Sequence, residues 1–398
     1  MSNESINYLE KSPIFASSLG SKELFHSNIW AYLIGQNTRY LNVFFKGLDI
    51  ENDPDVKKEV YREKLNMDVI VEVESDVFVI ENKIKSLPRE DQLKDYAATI
   101  DTSKEFSVSG RKLFCLTGIP KDKPKFLKDP WNYYADYKYI SEKIKEVTRA
   151  IPFNEGTKHF WSFALEYAEM INNLSDLLAE KEKELEDVFY FPQYYKNDYE
   201  LRKIQEILRV DDILQKLNAD QFKERVMEKL RGIDGAIVGN SGYTNQRSLA
   251  EFYYEATNEI DEDVLDYFRI GVQIQNAQFR WYVEVKKKNN DKSIDEIVKY
   301  GLDRNRWFST CEEIDENNGK KKIALPIGSK RETGMRFNAK TAYCQFCKGD
   351  SKFVYQYFTI KQENSGCSFD NLSCLVFAFM QRAKEIKDEY AKKYGFFF

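Results

Sequence analysis

The stretch MDVIVEVESDVFVIENKIK, residues 67–85, constrains the fold of this chain more than any other. Three valines alternate with other side chains over residues 69–73, and residues 77–80 form a continuous apolar run. Both patterns favour β-strands, and the apolar run is typical of a strand covered on both faces. Because the polar triplet at residues 74–76 separates the two runs, the stretch predicts a β-hairpin.

Charged side chains gather at the open end of this hairpin. A turn centred on Glu74 and Ser75 sets Asp68 directly opposite Glu81. Directly opposed residues of an antiparallel pair have Cβ atoms roughly 5 Å apart, so the two carboxylates could share one divalent cation. Lys83 lies two residues beyond Glu81 and therefore projects from the same face. The alternative is an ordinary ion pair at a strand end, and spacing alone leaves both interpretations open.

The segments around the hairpin predict an α/β core. Residues 21–36 favour a helix capped by Ser21, and Glu23 in its first turn would suit the helix dipole whatever its function. A second helix is expected to begin at Pro88 and to carry Gln92 and Tyr96 on one face. The other elements predicted for this region are strands at 56–64 and 112–119 and a strand followed by a helix over 131–151.

The length of 398 residues predicts two domains. A helical pattern over residues 159–186 turns from apolar to charged, which marks a candidate boundary. We therefore expect one domain over residues 1–175, a helical linker region over 176–234 and an α+β domain over 235–398. The elements expected beyond the linker are hairpins at 269–285 and 342–357 and a closing helix at 369–393.

Composition limits the classes of function. The net charge of −5 argues against broad adhesion to nucleic acid, so any such contact must come from local basic patches. No apolar run is long enough to cross a membrane, and the N-terminus lacks the basic and apolar regions of a signal peptide. The six scattered cysteines fit a reducing compartment. We expect a cytoplasmic protein.

The motifs occur in a recognisable order. The helix ELFHSNIWAYL precedes the hairpin with Asp68 and Glu81-Asn82-Lys83, and a helix with Gln92-Leu93 and Tyr96 follows it. Over roughly residues 15–120 the chain resembles the PD-(D/E)xK nuclease superfamily, in particular its bacterial branch with an IENKI motif and a QLxxY helix. The resemblance implies a restriction-endonuclease-like core, in which helices flank a mixed central sheet. One departure is that Met67 stands where many members have a proline.

The resemblance also implies roles for individual residues. It assigns the metal ion, Mg²⁺ with Mn²⁺ as a substitute, to Glu23, Asp68 and Glu81. Lys83 would lie near the attacking water and the scissile phosphate, and Gln92 would orient a water or a phosphate oxygen. Tyr96 lies beside the site or simply packs its helix. The implied catalytic set is Asp68, Glu81, Lys83, Gln92 and Tyr96.

The function implied by the resemblance is metal-dependent hydrolysis of phosphodiester bonds. DNA is favoured over RNA, an endonuclease over an exonuclease, and restriction or anti-phage defence is the implied setting. The alternative is a protein that keeps the nuclease fold without turnover and binds nucleic acid or regulates a partner.

The C-terminal domain is expected to bind substrate, to sense a partner or ligand, or to have a purely structural role, and it could also bind a partner protein or form a homodimer. Arg280, Trp281 and Tyr282 share one hairpin with Gln273 and Gln275, an arrangement that could contact phosphates and bases. The lysine and arginine residues nearby, which a solvated surface would also explain, are Lys286–Lys288, Lys320–Lys322, Arg331 and Arg336.

Two further candidates have simpler interpretations. Cys344 and Cys347 have the spacing of a zinc knuckle, but residues three apart in a strand face opposite ways. Cys374 lies in an apolar helix pattern, where a core thiol is expected. His26 follows Glu23 by three residues, and with only two histidines in the chain we expect it to pack or to support the site from behind.

Overall fold

The chain divides into two compact units. The first comprises residues 1–183 and 196–214, and the second comprises residues 184–195 and 215–398. The computed structural model describes residues 2–20, 22–53, 55–84, 90–106, 109–119, 124, 127–195, 197–233, 235–244, 247–261, 264–275, 277–286, 294–303, 306–308, 312–314, 321–323, 338–348, 351–360 and 367–396. Among these residues, no helix has both the length and the apolar character needed to cross a bilayer.

A five-stranded mixed sheet forms the centre of the first unit. Its strands lie in the order β1-β2-β3-β4-β5, with antiparallel pairing from β1 to β3 and parallel pairing from β3 to β5. The strands are β1 (Lys58–Lys64), β2 (Met67–Val73), β3 (Asp76–Lys83), β4 (Lys112–Gly118) and β5 (Tyr133–Asp136). The predicted α/β core is confirmed, and every strand expected in this region is present.

The register of the β2–β3 hairpin is the one predicted from its turn. Val73 pairs with Asp76 and Val69 pairs with Ile80, so Glu74 and Ser75 form the turn. Glu74 has a φ of 54°, the left-handed conformation that such tight turns often require. One step beyond the last pair, Asp68 and Glu81 face each other at the open end of the hairpin.

Helices cover both faces of this sheet. The face with Val77 and Val79 packs against Leu93, Ala97 and Ile100 of α4. On the opposite face, α3 contacts β1, β2 and β3. The helices of the first unit are α1 (Ser2–Lys11), α2 (Pro13–Ser18), α3 (Lys22–Gln36), α4 (Glu90–Thr102), α5 (Tyr137–Ala150), α6 (Lys158–Glu184, whose last residue belongs to the second unit) and α7 (Tyr199–Glu206). Ser21 and Pro88, the predicted helix starts, lie outside the described residues.

The second unit is built on a six-stranded antiparallel sheet in the order β13-β14-β10-β9-β8-β7. The helix α10 (Phe369–Tyr394) packs on β8 and β9 and confirms the predicted closing helix. The strands of the sheet are β7 (Ile237–Thr244), β8 (Arg247–Asp261), β9 (Val264–Gln275), β10 (Gln278–Lys286), β13 (Asn338–Lys348) and β14 (Ser351–Thr359). The remaining elements are β6 (Val188–Phe189), α8 (Asp211–Leu230), α9 (Ile294–Asp303), β11 (Glu312–Ile314), β12 (Lys321–Ile323) and β15 (Cys367–Ser368).

The helical stretch at residues 176–234 is divided between the units. Residues 196–214, with α7, belong to the first unit, whereas residues 184–195 and most of α8 belong to the second. Asn218 of α8 explains part of this division, because its side chain accepts a hydrogen bond from the backbone N–H of Tyr190 at 2.7 Å. It also donates to the carbonyl oxygens of Leu185 and Val188.

Candidate active site

The hairpin and its neighbouring elements bring Asp68, Glu81 and Lys83 together. Asp68 stands at the start of β2 and Glu81 near the end of β3, and both project to the face covered by α4. Oδ2 of Asp68 accepts a hydrogen bond from the backbone N–H of Asn82 at 2.7 Å. Strand pairing therefore places the two carboxylates side by side, and a backbone donor holds one of them in place.

Glu81 is the most enclosed carboxylate of the group. Its Oε1 lies 2.7 Å from Nζ of Lys83, and the two side chains expose only 3% and 9% of their surface. Its other oxygen, Oε2, is buried and has no hydrogen-bond partner among the residues that the structure describes. A buried carboxylate oxygen normally has a partner, so this atom points to a ligand at this position.

The electrostatics of Glu81 follow from its surroundings. Burial, first, and the negative charge of Asp68, second, raise its pKa from the ordinary 4.5 to about 7, although Lys83 opposes both effects. Near neutral pH, and with no cation bound, the Asp68–Glu81 pair is therefore partly protonated.

The pKa values of the neighbouring groups are shifted by the same charges. Burial raises the pKa of Asp68 above its usual range, against the lowering effects of the Asn82 N–H and of Lys83. Burial lowers the pKa of Lys83, but the negative charges of Glu81, Glu23 and Asp68 outweigh it and the pKa is raised overall. Lys83 is therefore a cation in this site.

Glu23 reaches the site from the other layer. It lies half-buried in the first turn of α3, and its charge raises the pKa of both Asp68 and Lys83. Within the described part of the chain, however, no three His, Cys, Asp or Glu side chains are gathered so that they could hold a metal ion together. The predicted role of Glu23 as a third metal ligand stays a prediction.

Gln92 and Tyr96 are neighbours on α4, the helix that covers the face of Glu81 and Lys83. Nε2 of Gln92 donates a hydrogen bond to the hydroxyl of Tyr96 at 2.6 Å. Burial and the charge of Glu81 raise the pKa of Tyr96, so its hydroxyl lies within the field of the site. The ring of Tyr96 also packs on the core under α4. Tyr96 therefore packs its helix through the ring, while its hydroxyl interacts electrostatically with the charged groups of the site.

Asn82 is the residue whose role the sequence analysis missed. Its side chain points to the face opposite Glu81 and Lys83 and is 1% exposed. It makes hydrogen bonds to the first turn of α3, to β4 and to α5. The available signal was an asparagine at the end of an apolar strand, a residue type that is depleted in strands.

His26 packs behind the site, as expected. Its Nδ1 lies 2.8 Å from the hydroxyl of Tyr167, and its ring meets that of Tyr137 edge to face. Burial lowers the pKa of His26 to about 3, so the imidazole is neutral. Its burial and its contacts with Tyr167 and Tyr137 are those of a packing residue behind the site.

The aromatic residues proposed for nucleic-acid contact in the second unit are buried. Trp281 is 1% exposed and belongs to the core beneath α10, and Tyr282 is fully buried on the other face. Neither ring can stack on a base in this conformation. Arg280 is half-buried and donates to the side chains of Gln273 and Gln275.

A half-buried arginine on this sheet face is paired with two carboxylates. Arg269 pairs with Glu255 and, at 3.4 Å, with Glu284, and it lies over the rings of Tyr253 and Tyr267. This face is therefore not a uniformly basic surface. Other basic residues of the prediction lie outside the described residues, namely Lys287, Lys288, Lys320, Arg331 and Arg336.

The zinc interpretation receives no test from the described side chains. Cys344 and Cys347 belong to β13, in agreement with the strand expected there, but their side chains lie outside the described residues. Cys374, expected as a core thiol, is instead a half-buried free thiol whose Sγ lies 2.9 Å from Nζ of Lys229.

The donor set of the candidate site fits a hard divalent cation. Asp68 and Glu81 supply carboxylate oxygens, which Mg²⁺ and Mn²⁺ prefer, and Oε2 of Glu81 has no partner to displace among the described residues. Because Mg²⁺ usually keeps several of its waters, two protein carboxylates suffice. The formal charge of Asp68, Glu81 and Lys83 together is −1, which leaves the site able to accept positive charge.

The fold and this donor set define an α/β protein with a candidate cation site at the open end of its central hairpin. Residues 14–169 match the family model of the PD-(D/E)XK nuclease superfamily, and this part of the chain is similar to that superfamily. Members act on nucleic acid and generally use divalent metal ions. The match does not extend into the second unit, and comparison with curated proteins and with solved structures gave no significant match.

Proposed function

We propose that the chain is a Mg²⁺-dependent nuclease that hydrolyses phosphodiester bonds of DNA, with Asp68, Glu81 and Lys83 at its centre. The single observation that carries this proposal is the buried, unpartnered Oε2 of Glu81 beside Asp68. A protein gains nothing for stability by burying a carboxylate oxygen without a partner, so a ligand accounts for it best.

Asp68 and Glu81 would hold the cation through their carboxylate oxygens. Once bound, a divalent cation lowers the pKa of a water and neutralises charge on phosphate oxygens. Strand pairing fixes the spacing of the two carboxylates, and the Asn82 N–H fixes one oxygen of Asp68. Such fixed ligands need no reorganisation during the reaction.

Lys83 has two roles in this proposal. Its ammonium compensates the charge of Glu81 in a nearly dry environment, at 2.7 Å. As a compact charge with three donors, it can also hold the attacking water or a phosphate oxygen next to the carboxylates. The raised pKa of Lys83 keeps it protonated, so it would act as a donor and an electrostatic stabiliser rather than as a base.

Gln92 and Tyr96 would orient the substrate from α4. The Tyr96 hydroxyl accepts the hydrogen bond of Gln92 and thereby fixes the orientation of the Gln92 amide. The Gln92 carbonyl oxygen can then accept a hydrogen bond from water, and the Tyr96 hydroxyl can donate one to a phosphate oxygen.

The preference for DNA and for internal cleavage, together with a setting in restriction or anti-phage defence, rests on the resemblance to the bacterial branch. A cleavage panel tests the substrate class. Wild-type protein is incubated with circular duplex DNA, linear duplex DNA, single-stranded DNA and RNA, each with Mg²⁺, Mn²⁺ or EDTA. We expect metal-dependent cleavage of circular duplex DNA, which has no ends.

The matched control in the panel is Glu81→Ala, which should be inactive on every substrate. Protein that binds nucleic acid but leaves all four substrates intact with both metals would contradict the proposed function. It would favour the alternative of a nuclease fold without turnover.

A further inference from the structure

The candidate site draws on both faces of the sheet. Asp68, Glu81 and Lys83 project to the face under α4, whereas Glu23 comes from α3 on the opposite face. Alternation along β3 places Glu81 and Lys83 on the same face of the sheet, but it does not determine where a helix on the other face lies. Something must therefore set the position of α3 relative to the end of β3.

Asn82 is placed to do this. It stands between Glu81 and Lys83, so its side chain points through to the side of α3. Its Nδ2 donates to the carbonyl oxygen of Glu23 at 3.0 Å and to Oγ of Ser27 at 3.4 Å. Both partners belong to the first two turns of α3.

The other end of the amide is fixed as well. Oδ1 of Asn82 accepts hydrogen bonds from the hydroxyl of Tyr137 at 2.7 Å and from Oγ1 of Thr117 at 3.3 Å. The orientation of the amide is unambiguous, because the Glu23 carbonyl can only accept and must face the NH₂ group. Every donor and acceptor of this buried amide is satisfied, as burial requires.

The backbone of Asn82 contributes a further contact. Its N–H donates to Oδ2 of Asp68 at 2.7 Å. One residue thus holds a carboxylate of the hairpin through its backbone and the helix of Glu23 through its side chain. The side-chain link can be removed by substitution while the backbone link is retained.

We infer that Asn82 is a positioning residue that sets Glu23 against the Asp68–Glu81 pair and thereby raises the affinity of the site for a divalent cation, an inference that rests on the proposed function. It touches neither the cation nor the substrate and acts through α3. Groups that hold metal-site residues from behind typically contribute 10- to 100-fold to metal affinity.

The test is a double-mutant cycle read out as Mn²⁺ affinity, from the electron paramagnetic resonance signal of free Mn²⁺. The variants are Asn82→Ala, Glu23→Gln and the double variant of the full-length protein. We expect Asn82→Ala to weaken Mn²⁺ binding by about 10-fold or more. We expect the double variant to bind within about 2-fold of Glu23→Gln alone, because both changes remove the same contribution.

A matched pair of milder variants tests the inference even if Asn82→Ala does not fold. Tyr137→Phe removes the hydroxyl that donates to Asn82, whereas Tyr40→Phe removes an equally buried hydroxyl bonded to Thr148 at 2.7 Å. Thr148 lies eleven residues along α5 from Tyr137, about 16 Å away. We expect Tyr137→Phe to weaken Mn²⁺ binding several-fold and Tyr40→Phe to leave it unchanged.

Three results would overturn the inference. Asn82→Ala could bind Mn²⁺ like wild type, or Tyr137→Phe and Tyr40→Phe could weaken binding equally. The losses of Asn82→Ala and Glu23→Gln could also multiply in the double variant, which would show that they act independently. In each case wild type still binds Mn²⁺, so the proposed function survives. Wild type that binds no Mn²⁺ would overturn both.

Discussion

Nζ of Lys83 lies 2.7 Å from Oε1 of Glu81, in an ion pair that is almost fully enclosed. Breaking a buried ion pair on one side leaves an uncompensated charge, which usually destabilises a protein strongly. Here a divalent cation could supply the missing charge. Lys83 and the cation therefore stabilise the same carboxylates, and substitutions at position 83 should separate structural from catalytic effects.

The first prediction concerns the removal of the Lys83 charge from the carboxylates. Lys83→Met should lower single-turnover cleavage by about 100-fold, because it removes the donor to the phosphate or water. It should keep or enlarge the rise in Tm on adding Mg²⁺, since Asp68 and Glu81 then rely on the cation alone. Cleavage assays and thermal unfolding with and without Mg²⁺ measure both effects. Loss of the Mg²⁺ response in Lys83→Met would mean that the lysine builds the site rather than serving the chemistry.

The second prediction concerns pH. In the metal-free folded state the pKa of Glu81 is raised from 4.5 to about 7, so the folded protein binds a proton that the unfolded chain releases earlier. This contribution to stability is fully present below pH 4.5 and is lost as the pH rises through about 7. Metal binding requires the deprotonated carboxylate, so the Mg²⁺-induced rise in Tm should be larger at pH 8 than at pH 6.

Glu81→Gln is the control for this pH dependence. The metal-free variant should lose less stability than wild type across the window from pH 4.5 to 7. It should also show no Mg²⁺-induced rise in Tm at pH 8. An identical pH profile in wild type and Glu81→Gln would assign the titration to another group.

The third prediction separates the two interpretations of Tyr96. Tyr96→Phe keeps the ring that packs on the core but removes the hydroxyl that accepts from Gln92. We expect the free energy of unfolding to change by less than about 1 kcal/mol and cleavage to fall about 10-fold. Gln92→Ala should give a similar loss of cleavage. Normal cleavage by Tyr96→Phe would identify the tyrosine as a packing residue alone.

The register of the hairpin was predictable because the turn residues and the apolar pattern both act locally. Glu74 and Ser75 set the pairing, and the pairing placed Asp68 next to Glu81. The network around Asn82 was not predictable in the same way. Its partners lie at positions 27, 117 and 137, and only tertiary packing brings them together.

The second unit shows a different limit of prediction from sequence. The sequence predicts the hairpin of β9 and β10 and its alternation, but alternation does not reveal whether each face is covered. Trp281 and Tyr282 therefore looked accessible in the sequence, although both are buried. The helix α10, about 90 residues further along the chain, covers the face of Trp281.

The fourth prediction tests what holds the second unit together. Asn218→Ala should lower its free energy of unfolding by about 2–3 kcal/mol, because three hydrogen bonds to residues 185–190 are lost and buried backbone groups are left without partners. Urea unfolding followed by circular dichroism measures the change. Mn²⁺ affinity should stay as in wild type, since this asparagine is not part of the candidate site. A stability within about 0.5 kcal/mol of wild type would contradict the account of this segment.

The central claim is that Asp68 and Glu81 together hold the cation. Its most direct test is Mn²⁺ binding to wild type and to the double variant Asp68→Asn with Glu81→Gln. The new asparagine and glutamine side chains are nearly the same size as the original ones. Wild type should bind Mn²⁺ stoichiometrically and release it on addition of Mg²⁺, while the double variant should stay folded and bind none. Unchanged Mn²⁺ binding by the folded double variant would contradict the claim.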